Sequence, residues 1–481
     1  MEQLQQHNQH LLWRAAFGPH IAEFDQVRKA RPGQYFEALL KASAKKPVYL
    51  NVAGNAFNGL AKGIDEIGRQ QRMELTDEQK KALRQQSRED LKNLNLYWLD
   101  EMVNSDAQLR EKMAFFWHGH FACRNLNIFY QQLLLHEIRT HALGNFGELL
   151  RAVSKSAAMI NFLNNNQNRK DHPNENFARE VMELFTMGRG HYTEEDVKEA
   201  ARAFTGWGAN LNGDFVFRKF VHDAGSKTFL GRTGNFDGDD IISMLLEQPQ
   251  TARFITRKLY AFFVNDVVDE QRVDQLAASF YQSGYDIPSL LRAIFTSTWF
   301  YEDKNIGARI KSPVELWVGI RRTFPLQLQD NAVQLLLQRL MGQLLFYPPS
   351  VAGWPGGRSW IDSSSLLLRM RLPQLVAGQD VLSMQPKDDD DQMMGRRQAG
   401  AGLGIANGKG LQATVDWPAF LKRFSSYKEK EAYDQLAAWL LQSRQYPDHA
   451  LVNQYIHPSD KESMIIQAAI RLMSCPEYQL C

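Results

Sequence analysis

Two glutamates one helical turn apart give this sequence its clearest capacity for chemistry. Glu180 and Glu183 lie in the segment NENFAREVMELF at residues 174–185, whose apolar residues recur at the spacing of one helix face. A carboxylate pair at this spacing can hold a divalent cation, and it can also supply a general acid and a general base. The alternative is an exposed helix on which Arg179 pairs with Glu183, an interaction worth about 0.3 to 0.5 kcal/mol.

The polar residues around this carboxylate pair are expected to orient a substrate. Amide, guanidinium and ammonium groups are suited to that role because they form directed hydrogen bonds. The residues predicted to bind substrate are Asn174, Glu175, Asn176, Arg179 and Lys227.

Two histidines in the aromatic segment FFWHGHF at residues 115–121 are candidate metal ligands. His118 and His120 are two residues apart and do not share a helix face, so joint ligation requires the helix to loosen at Gly119. The alternative is a helix end with one packed and one exposed histidine. The predicted metal site combines His118, His120, Glu180 and Glu183, and such mixed ligands suit iron, manganese or zinc.

A third polar cluster follows an aromatic segment at residues 214–220. His222, Asp223 and Lys227 lie in a turn-like stretch, and these residue types perform proton transfer or bind phosphate. Turn chemistry alone also favours such residues. His222 and Asp223 are predicted as catalytic residues together with Glu180 and Glu183.

Helix signals dominate the elements that must position these residues. Capping boxes are predicted at Thr76, Ser105 and Thr193. Strand signals are restricted to residues 214–220 and 227–230, which predict one hairpin. The fold class expected is a mainly α, multi-helix globular domain with a short β-hairpin near residues 214–230 and long ordered loops, among them a rigid loop at residues 348–357.

The chain is expected to have three parts. Residues 1–380 form the main helical domain with the polar motifs, and residues 381–411 form an acidic and glycine-rich loop or linker. Residues 412–481 form a C-terminal helical segment that packs back on the main domain.

Composition excludes several classes of protein. Among 481 residues, 56 Lys and Arg nearly balance 54 Asp and Glu, and no basic stripe is interleaved with aromatics, so no nucleic-acid partner is expected. No apolar run approaches the roughly 18 residues of a membrane span, which predicts no membrane insertion. Three cysteines and the absence of a visible signal peptide favour the cytoplasm. The usual motifs of ATPases, dehydrogenases, serine esterases and zincins are absent.

The motifs together resemble a large bacterial family known as domain of unknown function 1800, over nearly the whole chain. The matching segments are HLLWRAAFG at 10–18, FWHGHF at 116–121, RTHALGNF at 139–146, PNENFAREVMELF at 173–185, AFTGW at 203–207, HD at 222–223 with Lys227, KSPVE at 311–315 and the loop at 348–357. The family has no assigned reaction. The resemblance implies a partner, because genes of many relatives neighbour those of a second uncharacterised family that is similar to sulfatases, and many relatives are exported.

Two functions are compatible with these observations. The first is a hydrolase-like enzyme with a polar cleft of His, Glu, Asn and Arg side chains that binds a divalent metal. The second is a binding or assembly protein in which the Asn, Glu and Arg network is a buried structural clamp. An enzyme requires the side chains to converge on an open pocket, whereas a clamp requires them to be satisfied internally.

Overall fold

The computed structural model describes residues 2–53, 76–210, 212–380, 411–442, 447–456 and 458–481. The described chain is mainly helical, as predicted. The acidic and glycine-rich segment predicted at residues 381–411 lies outside the described residues, except for residue 411.

Helices supply most of the described structure. In chain order they are α1 Glu2–Ala15, α2 Phe24–Lys29, α3 Pro32–Ser43, α4 Asp77–Asn104, α5 Gln108–His120, α6 Ile128–His141, α7 Phe146–Ser154, α8 Ala157–Phe162, α9 Glu175–Glu180, α10 Glu194–Ala203, α11 Gly238–Leu246, α12 Pro249–Phe263, α13 Glu270–Gln282, α14 Ile287–Phe295, α15 Pro313–Thr323, α16 Val333–Leu340, α17 Ser363–Val376, α18 Trp417–Leu421, α19 Glu429–Leu440, α20 His449–Asn453 and α21 Lys461–Met473. A π-helix, Val181–Thr186, continues α9 directly.

The described strands form three small antiparallel pairs, and this corrects the predicted hairpin. They are β1 Trp207–Ala209, β2 Phe215–Phe217, β3 Lys227–Phe229, β4 Arg232–Gly234, β5 Leu326–Leu328 and β6 Ala413–Val415. The two predicted strand segments contain β2 and β3, but β2 pairs with β1 and β3 pairs with β4. Each strand therefore finds a closer partner through a tighter turn, which costs less loop entropy than pairing across residues 218–226.

Helix starts follow the predicted caps in one case and depart from them in another. The Thr193 side chain accepts from the N–H of Asp196, whose carboxylate accepts from the N–H of Thr193, so this capping box is confirmed. The box predicted at Ser105 is wrong, because Ala107 precedes α5 and Gln108 donates instead to the carbonyls of Met102 and Ser105. Helix α4 begins directly after Thr76.

One hydrophobic core joins the beginning of the chain to its last helices. Leu12 on α1, Trp117 on α5, Trp439 on α19 and Met464 on α21 are all buried in the same cluster. The side chain of Gln9 donates to the carbonyl of Trp439 at 3.1 Å, which ties α1 to α19. In the part of the chain that the structure describes, no helix is long and apolar enough to cross a membrane.

Candidate functional site

The motif helix α9 is held at its start by asparagines. Asn174 is its N-cap and accepts from the N–H of Asn176 at 3.0 Å, while the Asn174 N–H donates to the side chain of Asn168 at 2.9 Å. The side-chain amide of Asn176 donates to the carbonyl of Leu163 at 3.1 Å. Both asparagines that were predicted to bind substrate therefore form hydrogen bonds within the protein.

Arg179 fastens α9 to the neighbouring helix α10. Its guanidinium pairs with Glu194 at 2.7 Å and with Glu175 at 3.0 Å. These two carboxylates raise the pKa of Arg179. The predicted surface pair of Arg179 with Glu183 is therefore wrong. Two more of the predicted substrate-binding residues, Glu175 and Arg179, thus form a partly exposed ion-pair network with Glu194, which differs from the buried clamp of the second hypothesis.

The two glutamates of the motif have different surroundings. Glu183 accepts from the hydroxyl of Tyr192 at 2.9 Å and from the guanidinium of Arg189. Glu180 is half-buried, and burial followed by the nearby negative charge of Glu183 raises its pKa. Glu183 is thus held by two donors, whereas the carboxyl of Glu180 is protonated more easily than an ordinary glutamate.

The turn at residues 222–227 is pinned to α10. Arg202 donates to the carboxylate of Asp223 at 2.7 Å, and this hydrogen bond lowers the pKa of Asp223. The Nδ1 of His222 donates to the carbonyl of Thr205 at 2.9 Å, and the buried ammonium of Lys227 donates to the carbonyls of Asp223 and Gly225.

The turn at residues 222–227 is not bonded to the glutamates of the motif within the described part of the chain. Within the described ranges, His222 and Asp223 form neither a hydrogen bond nor an ion pair with Glu180 or Glu183. The four residues predicted as catalytic therefore divide into two groups that are not bonded to each other.

The predicted metal site is not assembled. Helix α5 continues through Gly119 to His120, and both His118 and His120 are buried, so the expected loosening and the expected exposed histidine are both wrong. The Nε2 of His118 accepts from the N–H of Phe346 at 3.2 Å, and burial lowers its pKa to about 3. Among the described residues, no group of three or more His, Cys, Asp or Glu side chains is placed to hold a metal ion, so His118, His120, Glu180 and Glu183 do not form one.

The π-helix connects the motif to a second constellation that contains His120. The carbonyl of Phe185 accepts from Nε2 of His120 at 3.2 Å, and the carbonyl of Leu184 lies 3.4 Å from Nζ of Lys258. Carbonyls near a helix end are suited to cationic and N–H groups, and π-helices recur at functional sites. The motif helix therefore ends by positioning an imidazole and an ammonium.

These two groups lie at the wall of an open cleft of about 780 Å³. That volume is typical of small-molecule sites. The cleft lies between α5, α12, the start of α15 and the loop at residues 348–360. Its aromatic walls are Phe115, Phe116, Phe262, Trp354 and Trp360.

Lys258 and His120 form a hydrogen-bonded dyad in this cleft. Nζ of Lys258 lies 3.2 Å from Nδ1 of His120, and because Nε2 donates to the Phe185 carbonyl, Nδ1 is the acceptor. Burial lowers the pKa of Lys258 to about 8, and burial followed by the charge of Lys258 lowers the pKa of His120 far below its usual range. Near neutral pH the imidazole is uncharged.

The remaining charges of the cleft favour an anionic ligand. Glu315 is already paired with Lys112 and accepts from the N–H of Ser312 at 2.8 Å, so its charge is neutralised behind the wall. Arg309 lies with its guanidinium carbon 5.0 Å from the ring centre of Phe262, and its Nε is 3.5 Å from Asp266.

Arg358 is the exposed cation of this wall. It lines the cleft and makes no ion pair within the described ranges. Lys258 and Arg358 therefore leave the cleft with cationic groups that no carboxylate of its wall neutralises.

Sequence reasoning identified His120 but missed Lys258, Arg309 and Arg358. The available signal was the spacing of Phe254, Lys258 and Phe262, which lie four residues apart on one face of α12. A lysine between two phenylalanines on one face predicts an ammonium beside aromatic rings. Nothing in the sequence places that face against His120, because the contact depends on how α12 packs on the π-helix.

Comparison with known proteins gives one match, at the level of the family. Neither the curated proteins nor the solved structures include a match to this chain. The family profile described as protein of unknown function, DUF1800, matches residues 10–480. Since this match covers nearly all 481 residues, the chain belongs to the DUF1800 family.

Proposed function

We propose that the cleft beside α5 and α12 is the functional site and that it binds a small organic anion with a planar or apolar ring. One observation carries this proposal: the ammonium of Lys258, which has no carboxylate partner among the described residues, faces an open cleft with aromatic walls. A buried cation without a counter-ion is costly, so a ligand that brings negative charge gains the energy of neutralising it.

The aromatic walls of the cleft indicate that the ligand also carries a planar or apolar group. Trp354 and Trp360 come from the loop side, while Phe116 and Phe262 come from α5 and α12. Aromatic rings favour planar or apolar groups, and offset or edge-to-face contacts give them orientation. An aromatic carboxylate, sulfonate or phosphate satisfies both the charge and the walls.

The NENxARE motif has a structural role in this proposal, as in the clamp hypothesis, but its ion pairs are partly exposed and not buried. Its residues bond to one another and to α10, and the π-helix that follows places the Phe185 carbonyl on His120. The clamp and the site are then two parts of one arrangement, in which the motif holds the dyad in place without touching the ligand.

Binding of an aromatic sulfonate dye, anilinonaphthalene sulfonate, tests this proposal by fluorescence. The uncharged dye N-phenylnaphthylamine is the matched probe. We expect the sulfonate to bind more tightly than the uncharged dye. Arg358→Ala should weaken the binding of the sulfonate alone, by about tenfold. Trp354→Ala should weaken the binding of both dyes because it removes an aromatic wall.

The control variant is Lys304→Ala, whose exposed side chain pairs with Glu302 and does not line the cleft. It should leave both affinities unchanged. Equal affinities for the two dyes, together with no effect of Arg358→Ala, would show that the cleft is not an anion site.

A further inference from the structure

We infer that Lys258 is a reactive amine that forms an imine with the carbonyl carbon of an aldehyde or ketone carrying an anionic group. This inference rests on the proposed function, because the cleft must admit the organic anion before its carbonyl can meet Nζ. It names the substrate class of the site as anionic carbonyl compounds.

The surroundings of Lys258 make its ammonium easier to deprotonate than that of an ordinary lysine. Nζ contacts Nδ1 of His120 at 3.2 Å and the carbonyl of Leu184 at 3.4 Å, and it lies 4.8 Å from the ring centre of Phe254. In the part of the chain that the structure describes, no carboxylate lies within ion-pair distance of it. An amine withdrawn from water without a counter-ion is shifted towards its uncharged, nucleophilic form.

The two carboxylates that line the same cleft do not neutralise Lys258. Asp266 lies 3.5 Å from Nε of Arg309, and Glu315 is paired with Lys112 behind the wall. The lowered pKa of Lys258, about 8, has burial as its cause and agrees with this arrangement.

Among the buried or partly buried lysines discussed, Lys258 is the one that lines the cleft. Lys112 is paired with Glu315, and Lys311 donates to the carbonyl of Tyr478 while its Nζ lies 3.6 Å from the ring centre of Trp13. Burial also lowers the pKa of Lys311, to about 7, but neither Lys112 nor Lys311 lines the cleft. The buried Lys227, which donates to the carbonyls of Asp223 and Gly225, does not line the cleft either, so Lys258 is the one of these four amines that a ligand in the cleft can reach.

The chemistry balances without any redox partner. The lone pair of Nζ forms a bond to the carbonyl carbon, the π electrons of the C–O bond move to oxygen, and a proton from nitrogen makes that oxygen a hydroxyl. The second nitrogen proton then leaves with the hydroxyl as water, and the C=N bond closes. Nδ1 of His120, an acceptor 3.2 Å from Nζ, is placed to take a proton from nitrogen and return it to the departing hydroxyl.

Reductive trapping with para-formylbenzoate tests this inference. The full chain is incubated near pH 8 with this anionic aromatic aldehyde and sodium cyanoborohydride, and peptide mapping by mass spectrometry locates the alkylated lysines. Benzaldehyde is the uncharged comparison, and the exposed Lys304 is the internal reference, since its pairing with Glu302 raises its pKa.

We expect Lys258 to be labelled at least about tenfold faster than Lys304, because about half of its amines are neutral at pH 8 against under about 1% for an ordinary lysine. Para-formylbenzoate should label it faster than benzaldehyde does. Lys258→Met should remove this label, and Lys304→Met should not. Mapping the unmodified chain gives the answer even if Lys258→Met fails to fold.

Labelling of Lys258 no faster than of Lys304 overturns the inference. The dye experiment separates the two proposals in that case. If anilinonaphthalene sulfonate still binds in an Arg358-dependent way, the anion site stands and only the imine is wrong. If the dye does not bind, both are wrong.

Discussion

The buried ion pair of Lys112 and Glu315 shows how single residues stabilise the wall of the cleft. Both side chains are almost fully inaccessible. Lys112→Met should destabilise the fold by about 3 to 5 kcal/mol, because it leaves a carboxylate buried without its partner. Urea unfolding measures this free energy.

The exposed pair of Arg292 and Glu37 is the matched control, since it also joins two helices. Arg292→Ala should cost less than about 1 kcal/mol. The double variant Lys112→Met, Glu315→Leu should recover much of the lost stability. A single variant that costs no more than the control would mean that Glu315 is neutralised from elsewhere.

The same pair predicts a dependence of stability on pH. Lys112 and Arg309 outweigh the effect of burial and lower the pKa of Glu315 from 4.5 to about 2. A carboxyl whose pKa is lower in the folded state contributes stability above its unfolded pKa and loses that contribution as the pH falls. Stability should therefore fall between about pH 4.5 and 2, and urea midpoints of Glu315→Gln should fall less steeply there. Parallel curves for the two proteins would refute this assignment.

At the scale of elements, the loop at residues 348–357 is held against α5 by a close approach of two main chains. Gly353 has φ +81°, and a Cβ there would lie 2.4 Å from the carbonyl oxygen of Gly119. Gly353→Ala should therefore cost about 1 to 3 kcal/mol and weaken dye binding, because the loop carries Trp354.

Gly356 in the same loop is the control. It has φ −102°, and a Cβ there meets nothing within 4 Å. Gly356→Ala should leave thermal stability nearly unchanged. Equal effects of the two variants would show that the contact with Gly119 does not hold the loop.

The motif helix gives a second prediction at this scale. Asn174→Ala removes the N-cap of α9 and should cost about 1 kcal/mol by urea unfolding while leaving the affinity for the sulfonate dye unchanged. Thr193→Ala, which removes the cap of α10, is a control of similar expected cost. A large loss of dye affinity specific to Asn174→Ala would place the motif in contact with the ligand.

Elements were predictable from sequence where the signal is local. The helix at Thr193 has both partners of its capping box within four residues, and its start is confirmed. At Ser105 the same spacing predicted a capping box that does not form. The side chain of Gln108 instead donates to the carbonyl of Met102, which lies at the end of α4. The pairing of β2 with β1 and the meeting of Lys258 with His120 also depend on packing between elements, which residue spacing does not encode.

At the scale of the whole molecule, the two ends of the described chain share one network. The guanidinium of Arg14 on α1 is fully buried and donates to the carbonyl of Asn305 at 2.9 Å and to a main-chain oxygen of Cys481 at 2.7 Å. Arg309 and Cys481 exchange main-chain hydrogen bonds at 3.1 and 2.8 Å. The described helices of residues 412–481 are therefore expected to unfold together with the main helical domain, although the sequence analysis predicted a linker at residues 381–411 between them.

Hydrogen exchange read by mass spectrometry at increasing urea tests this expectation by segment. Peptides from α1 and from α21 should lose their slowest protection at the same urea concentration, since their side chains lie in one core. Arg14→Met should lower that concentration equally for both, through a loss of about 1 to 3 kcal/mol in the free energy of unfolding, because it leaves the buried carbonyl of Asn305 without its donor. If α21 loses protection first and Arg14→Met leaves α1 unaffected, the C-terminal segment is an independent unit and the cleft is built by the main helical domain alone.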